Sequence, residues 1–302
     1  MKLAQKFWKN PVIVKEIRTR MRGSRAFWMV GIHLLVLTLI LGLVYFGLVS
    51  TISSAGNLEQ RRYLGKSIFG LLIALELITI SLIAPALTAG MISSERERQT
   101  FELLRVSLLP PGELVTGKYL SSLTFVFLLV FTALPLMGPA FMIGGISLSE
   151  ILIATVVILI SAISFCAMGI FFSSFFRRTL IATVFTYGLS IMLIFGIPFL
   201  SLILLIVFGA NLDGTTQRLS PAIAGIVIAF GWVLIALTPL ATIVATEIIF
   251  MDQQSWWLFS LSLPENTKMT LVSPWVIFVL FYLILSIFLL WGSIQLVKRK
   301  ET

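Results

Sequence analysis

Long, predominantly apolar runs cover 27–49, 67–92, 119–143, 150–176, 180–208 and 274–297. Each run reaches the roughly 20 residues that a helix needs to cross the hydrocarbon core of a bilayer. None alternates as a half-buried strand would, and none carries the charged face of a helix on a soluble core. The pattern predicts an all-α polytopic integral membrane protein with six transmembrane helices. A seventh run, 222–250, is also long enough to cross. The polar segments are short except at two places, the arm 1–26 and the stretch 93–118. One transmembrane domain therefore occupies 1–302, with no stretch set aside for a separate soluble domain.

The arm has its own pattern. Asn10-Pro11 is a helix start, with Asn as N-cap and Pro at the first helical position. Ile13, Val14, Ile17 and Met21 fall on one face; Lys15, Arg18, Thr19 and Arg22 fall on the other. Gly23-Ser24 ends the helix. This reads as an interfacial amphipathic helix touching membrane lipid, with Phe7 and Trp8 as further anchors. The first span begins only after this 26-residue arm and is too long for a signal-peptide core, so it reads as an uncleaved span.

Composition agrees. Of 302 residues 58% are hydrophobic and 12% charged, where soluble domains carry about 25% charged residues. The net charge of +9 fits basic edges facing anionic lipid and does not call for nucleic acid. Cys166 stands alone in an apolar run, which excludes an intrachain disulfide and a cysteine metal site. His33, the single histidine, reads as a packed or interface residue. Without clustered His, Asp or Glu the chain is not expected to be an enzyme, and no cofactor is expected.

Charge bias sets the expected topology. Eight Lys/Arg in the arm place the N-terminus in the cytoplasm of a multi-pass cell-membrane protein. Six crossings then bring Lys298-Arg299-Lys300 to the same side, with 17 of the 22 Lys/Arg cytoplasmic; seven crossings would put that cluster outside. The run 222–250 is therefore read as a re-entrant outer hairpin bent at Pro239, tolerated at depth where protein covers it. Trp256, Trp257 and Trp275 would form an outer aromatic belt, and Trp8, Trp28 and Trp291 an inner one.

The stretch 93–118 carries four acids and four bases. Ser94 and Glu97 have the spacing of a capping box. Arg98–Glu102 and Glu102–Arg105 are spaced to pair along a helix. Phe101, Leu104 and Leu108 give it a narrow apolar stripe, and Pro110-Pro111 stops it. A loop that only anchored orientation would be basic. Mixed charge around an apolar centre suits docking on another protein. Gly112 to Lys118 imitates a phosphate loop, GxxxxGK, but Tyr119 stands where the magnesium-binding Ser/Thr belongs and no strand leads in, so nucleotide binding is excluded here.

The pattern SxERExxTxExLL…LxPxExxxGK resembles the membrane subunit of ABC-2 type ATP-binding-cassette transporters. It is carried by Ser94, Glu95, Arg96, Glu97, Thr100, Glu102, Leu103, Leu104, Pro111, Glu113, Gly117 and Lys118. The opening Asn10-Pro11…Lys15-Glu16…Arg18 is similar to permeases of that group. The family commonly has Gly before the Thr; Gln99 occupies that place and predicts a stiffer helix. The resemblance implies a permease, an exporter by the family's habit, that pairs with a second permease copy or paralogue. ATP hydrolysis would lie in a separate cytoplasmic ABC ATPase. The stretch 93–118 would be the coupling helix, the arm an elbow helix, and a re-entrant hairpin would precede the last span. Ser94, Glu95, Glu97, Arg98, Phe101, Glu102 and Arg105 are then the residues expected to meet the ATPase. Glu76, an acid well inside a span, would line a pathway or pair with a neighbouring span, since an ionisable group there is costly. A secondary transporter or channel is the alternative; it would call for more intramembrane charge and two matching halves. Cysteine labelling at position 300 tests the topology: labelling from the cytoplasmic side is expected, and labelling only from outside would contradict six crossings.

Overall fold

The computed structural model describes residues 11–22, 24–51, 58–100, 110–212, 221–253, 255, 257–262 and 268–299. Six of its helices are long and apolar enough to cross a membrane, and one further pair of helices qualifies jointly but is sharply bent. The protein is an all-α polytopic membrane protein. It divides into two units, Met1–Gly188 with Leu283–Thr302, and Leu189–Tyr282.

In the first unit, α1 is Pro11–Met21, α2 Ser24–Thr51, α3 Leu58–Thr88, α4 Ser93–Glu97, α5 Pro111–Ala133, α6 Gly138–Ile143 and α7 Leu148–Phe175. It also holds most of α8, Thr179–Ile191, and the latter part of α12, Pro274–Arg299. α7 is central: Val157, Ile158, Ala162, Phe165, Cys166, Ala167 and Ile170 are all fully buried. It packs along α3 and α5. Lipid tails are as apolar as Leu, so burial alone does not drive this packing; close fit and polar contacts do. Gly169 supplies the fit, because a Cβ there would overlap the Thr88 hydroxyl of α3. Ser164 and Ser286, hydroxyl to hydroxyl at 2.9 Å, join α7 to α12.

Several helices start elsewhere than the apolar runs suggest. α3 begins at Leu58, nine residues before 67, because Lys66 need not stay in a loop; its ammonium lies 3.9 Å from the Glu150 carboxylate. α5 begins at Pro111, so the second proline of the pair opens a helix and does not only close one. That is the usual use of Pro at a first helical position, where its missing N–H has no partner to lose. Pro135 opens a 3-10 turn, Leu134–Met137, and Pro139 sits in the first turn of α6. Gly144 and Gly145 both take positive φ, 97° and 94°, to turn the chain back. Ser147 then caps α7 in a complete capping box. Its hydroxyl accepts from the Glu150 N–H at 3.2 Å, and the Glu150 carboxylate accepts from the Ser147 N–H at 2.6 Å.

α1 does not simply lie with its apolar face in lipid. Val12 and Ile13 are buried, and the helix packs on α5. α2 is the opposite of α7: among its described side chains only His33 and Leu37 are buried.

The second unit contains α9, Ile197–Leu212, α10, Pro221–Ala236, and α11, Pro239–Gln253, followed by strands β1, Leu258–Ser262, and β2, Lys268–Val272. A π-helical turn, Met192–Gly196, precedes α9 and takes up the backbone change that Pro198 imposes on the carbonyl four residues before it. α10 and α11 meet at 117°. The carbonyls released by that break have side-chain donors. Tyr282 Oη donates to Leu237 O at 2.6 Å, and the Thr238 and Thr242 hydroxyls donate to Ile235 O at 3.0 and 3.1 Å. Irregular backbone within an apolar fold is tolerated on that condition.

The hairpin was not anticipated. β1 and β2 pair antiparallel, Leu258 opposite Val272 and Ser262 opposite Lys268. The period of two in Leu258-Phe259-Ser260 was legible but is outweighed by the much longer helical runs around it. Phe259 is buried against Trp232, ring centroids 4.5 Å apart, and Trp232 Nε1 donates to Val272 O at 2.9 Å. The Trp257 and Trp275 rings meet at 5.2 Å, tilted by 53°, beside the start of α12; Trp256 lies outside the described residues.

The Gly169 contact gives a direct test of the packing. Gly169→Val should force α3 and α7 apart and cost about 1–3 kcal/mol, read as a lower thermal midpoint in detergent, while Gly188→Ala, where a Cβ meets no atom within contact distance, should leave it unchanged.

Candidate functional site: the base of the charged stretch

The charged stretch joins the helical bundle at residues 87–97. α3 ends at Thr88, and a turn through 89–92 leads into α4. A turn buried in an apolar bundle must place its backbone donors. Ser173 of α7 does this: its hydroxyl oxygen accepts from the N–H of Ile92 at 2.9 Å and of Ser93 at 3.0 Å. Ser93 and Ser173 hydroxyls are 3.3 Å apart, and all three residues are buried.

Ser94 does not cap a helix. Its own N–H is already bonded to Gly90 O at 2.9 Å, because Ile92 before it is helical, at φ −103° and ψ −42°. The same Ser-x-x-Glu spelling works at Ser147 because the chain arrives there extended, at φ −92° and ψ 155°. Spacing alone does not distinguish the two, whereas the conformation of the preceding residues does.

Each charged side chain of α4 is engaged. Lys118 of α5, 3% exposed, donates from Nζ to Met91 O at 3.0 Å and to Glu95 Oε1 at 2.5 Å. The segment that imitates a phosphate loop is thus the first two turns of a helix, and its lysine holds α4. Arg96 Nη1 donates to Ser174 O of α7 at 2.7 Å. Glu97 reaches the start of α8: its Oε1 accepts from the Thr179 N–H at 3.0 Å and its Oε2 from the Thr179 hydroxyl at 2.6 Å. A carboxylate on the orphan N–H groups of a helix start is stabilised by both hydrogen bonding and the helix dipole. The Thr179 hydroxyl bond first, then the Thr179 N–H and the positive charge of Arg178, hold the Glu97 carboxyl below the usual glutamate range. From α1, Arg20 Nη2 donates to Leu87 O at 3.2 Å and approaches Met91 Sδ at 3.6 Å.

Beyond Glu97 the helix stops. Gln99 N–H bonds Arg96 O at 3.2 Å and Thr100 N–H bonds Glu95 O at 3.0 Å. This is a Schellman end, which calls for a left-handed residue between the two. Gln99 takes that role with φ 58°. The stiffer helix expected of a Gln is therefore not formed; the bend is kept, at about 1–2 kcal/mol of left-handed strain that a Gly would avoid.

Of the residues singled out for coupling, the structure brings Glu95 and Glu97 onto the bundle, holds Ser94 half-buried and leaves Arg98 exposed. Phe101, Glu102 and Arg105 lie outside the described residues. Ser173, Ser174 and Thr179 were not foreseen. Ser173-Ser174 followed by Arg177-Arg178-Thr179 marks a helix end in the sequence, but nothing in that spelling names its partner. Glu76 lies apart from this cluster, facing His33. Among the described residues no three His, Cys, Asp or Glu side chains converge as a metal site.

Long apolar helices with a polar, multiply anchored turn between two of them make this a multi-pass integral membrane protein. Residues 49–218 match the sequence profile of the ABC-2 family transporter protein, over more than half of the chain, and the chain belongs to that family. It is the permease of an ABC transporter, a multi-pass membrane protein whose family works with an ABC ATPase. No curated protein sequence matches it.

The Thr179 contact predicts a pH effect. Because the folded-state pKa of Glu97 is depressed, its contribution is full above the ordinary glutamate range and is lost as pH falls through the lowered value. Thr179→Val should lower the thermal midpoint at about pH 7, and the difference from wild type should shrink as pH falls through the lowered pKa of Glu97. Midpoints measured across that range check it.

Proposed function

We propose that this permease is an exporter, and that residues 93–118 form a cytoplasmic coupling element driven by a separate ABC ATPase. The observation that carries this reading is the anchoring of α4. Within five residues, Glu95, Arg96 and Glu97 contact α5, α7 and the first turn of α8. A loop that only connected two spans would not need three polar links to three other helices. A lever that transmits force does, because displacement of α4 then moves several spans together. Glu95 and Glu97 are read as transmission residues and Arg98 as part of the face presented to the ATPase, with Phe101, Glu102 and Arg105 continuing that face.

The basic clusters support the assignment of sides: arm, lever, Arg177-Arg178 and C-terminus cytoplasmic. The 117° bend between α10 and α11 supports the reading of 222–250 as a re-entrant hairpin and not a seventh crossing. Two permease subunits, identical or paralogous, would enclose the pathway, and lipid would cover the exposed apolar faces.

The test is purification of the tagged permease from its native membrane in mild detergent, followed by an ATP-hydrolysis assay. The wild-type chain should retain an ATP-hydrolysing subunit. Arg98→Glu should insert normally but lose at least about tenfold of the retained activity, equivalent to about 1.4 kcal/mol of binding. A wild-type preparation without ATPase, or an Arg98→Glu preparation with full activity, would contradict the proposal.

A further inference from the structure

His33 of α2 and Glu76 of α3 meet inside the first unit, Nε2 to Oε2 at 3.3 Å, with both side chains 2% exposed. They come from two apolar runs in which each is the sole His, Asp, Glu, Lys or Arg, and they are far apart in sequence. Neither Nδ1 of His33 nor either oxygen of Glu76 has a hydrogen-bond partner with proper geometry, and all are buried. Four described ionisable groups or pairs on the helices packed nearby have partners of their own. Lys66 and Glu150 face each other, Lys118 holds Glu95, Tyr119 Oη donates to Ile163 O at 3.1 Å, and Arg20 reaches Leu87 O.

The placement on α2 matters most. That helix is lipid-like nearly all round: Phe27, Trp28, Ile32, Leu35, Leu39 and Leu43 are exposed. Its described buried face consists of His33 and Leu37, one turn apart. An apolar stripe this narrow against apolar neighbours does not select one rotation or one height of the helix, since lipid would serve each leucine equally well. A charged or strongly polar pair does select, because any rotation or slip leaves two ionisable groups facing hydrocarbon. Such pairs are poor sources of net stability compared with well-packed apolar residues, and their best-attested use is to fix register.

We infer that His33 and Glu76 fix the register of the first span: they pin it to the second in a single rotation and height, and contribute register without net stability. The inference is independent of how the lever couples to an ATPase.

Spin labels at Leu35→Cys and Leu82→Cys, both exposed positions, report the α2–α3 distance in liposomes; Cys166 is fully buried and stays unlabelled. The unaltered pair should give one narrow distance distribution. His33→Leu and Glu76→Leu should each lower the thermal midpoint by roughly 10 °C and broaden the distribution. The double variant H33L/E76L should recover the midpoint to within about 3 °C while the distribution stays broad or splits. Recovery of stability without recovery of register is the signature. A double variant with the wild-type distribution would overturn the inference, because packing alone would then set the register. Single variants with wild-type midpoints and distances would overturn it as well.

Discussion

A helix that must stop and restart inside an apolar bundle has to satisfy the backbone it releases, and this requirement organises the lever end of the protein. At 89–92 the donors of Ile92 and Ser93 go to one hydroxyl, Ser173, on the most buried helix of the first unit. Leaving such groups unmatched would cost about 1–3 kcal/mol each. The turn is therefore fixed to α7, and α4 inherits that position. Lys118, Ser174 and Thr179 then find the three charged side chains of α4 within reach. The break between α10 and α11 obeys the same rule with Tyr282, Thr238 and Thr242 as the donors.

This changes what the acidic residues of the lever mean. Carboxylates on a loop between spans read naturally as a docking surface. Glu95 also binds a buried lysine, and Glu97, itself exposed, binds the start of α8. These two contacts join α4 to α5 and α8. A family-typical glycine is replaced by Gln99, yet the backbone keeps the left-handed turn, so the position of the bend is set by the helix-ending hydrogen bonds and not by the residue that accommodates it.

The class of fold was legible because it depends on length and polarity alone: a run of about 20 apolar residues has few structures open to it. The family was legible in the charged motif between the second and third runs. Helix starts were less so. Pro111 opens a helix where it seemed to close one, and Ser94 has a capping spelling without an orphan N–H to cap. Both depend on the conformation of neighbouring residues, which spelling does not record. The partners of Glu76 and Glu97 were not legible at all, since His33 and Thr179 are brought to them by helix packing across 43 and 82 positions of sequence. The short β1–β2 hairpin was lost under stronger helical signals.

The central claim is that the lever is rigidly continuous with the bundle through residues 91–97. Hydrogen exchange of the backbone amides in the purified permease tests this most directly. The account predicts that Ile92 and Ser93 exchange as slowly as the amides of α7, and that Ser173→Ala speeds both to the rate of an exposed loop. Fast exchange of Ile92 and Ser93 in the wild-type protein would contradict it.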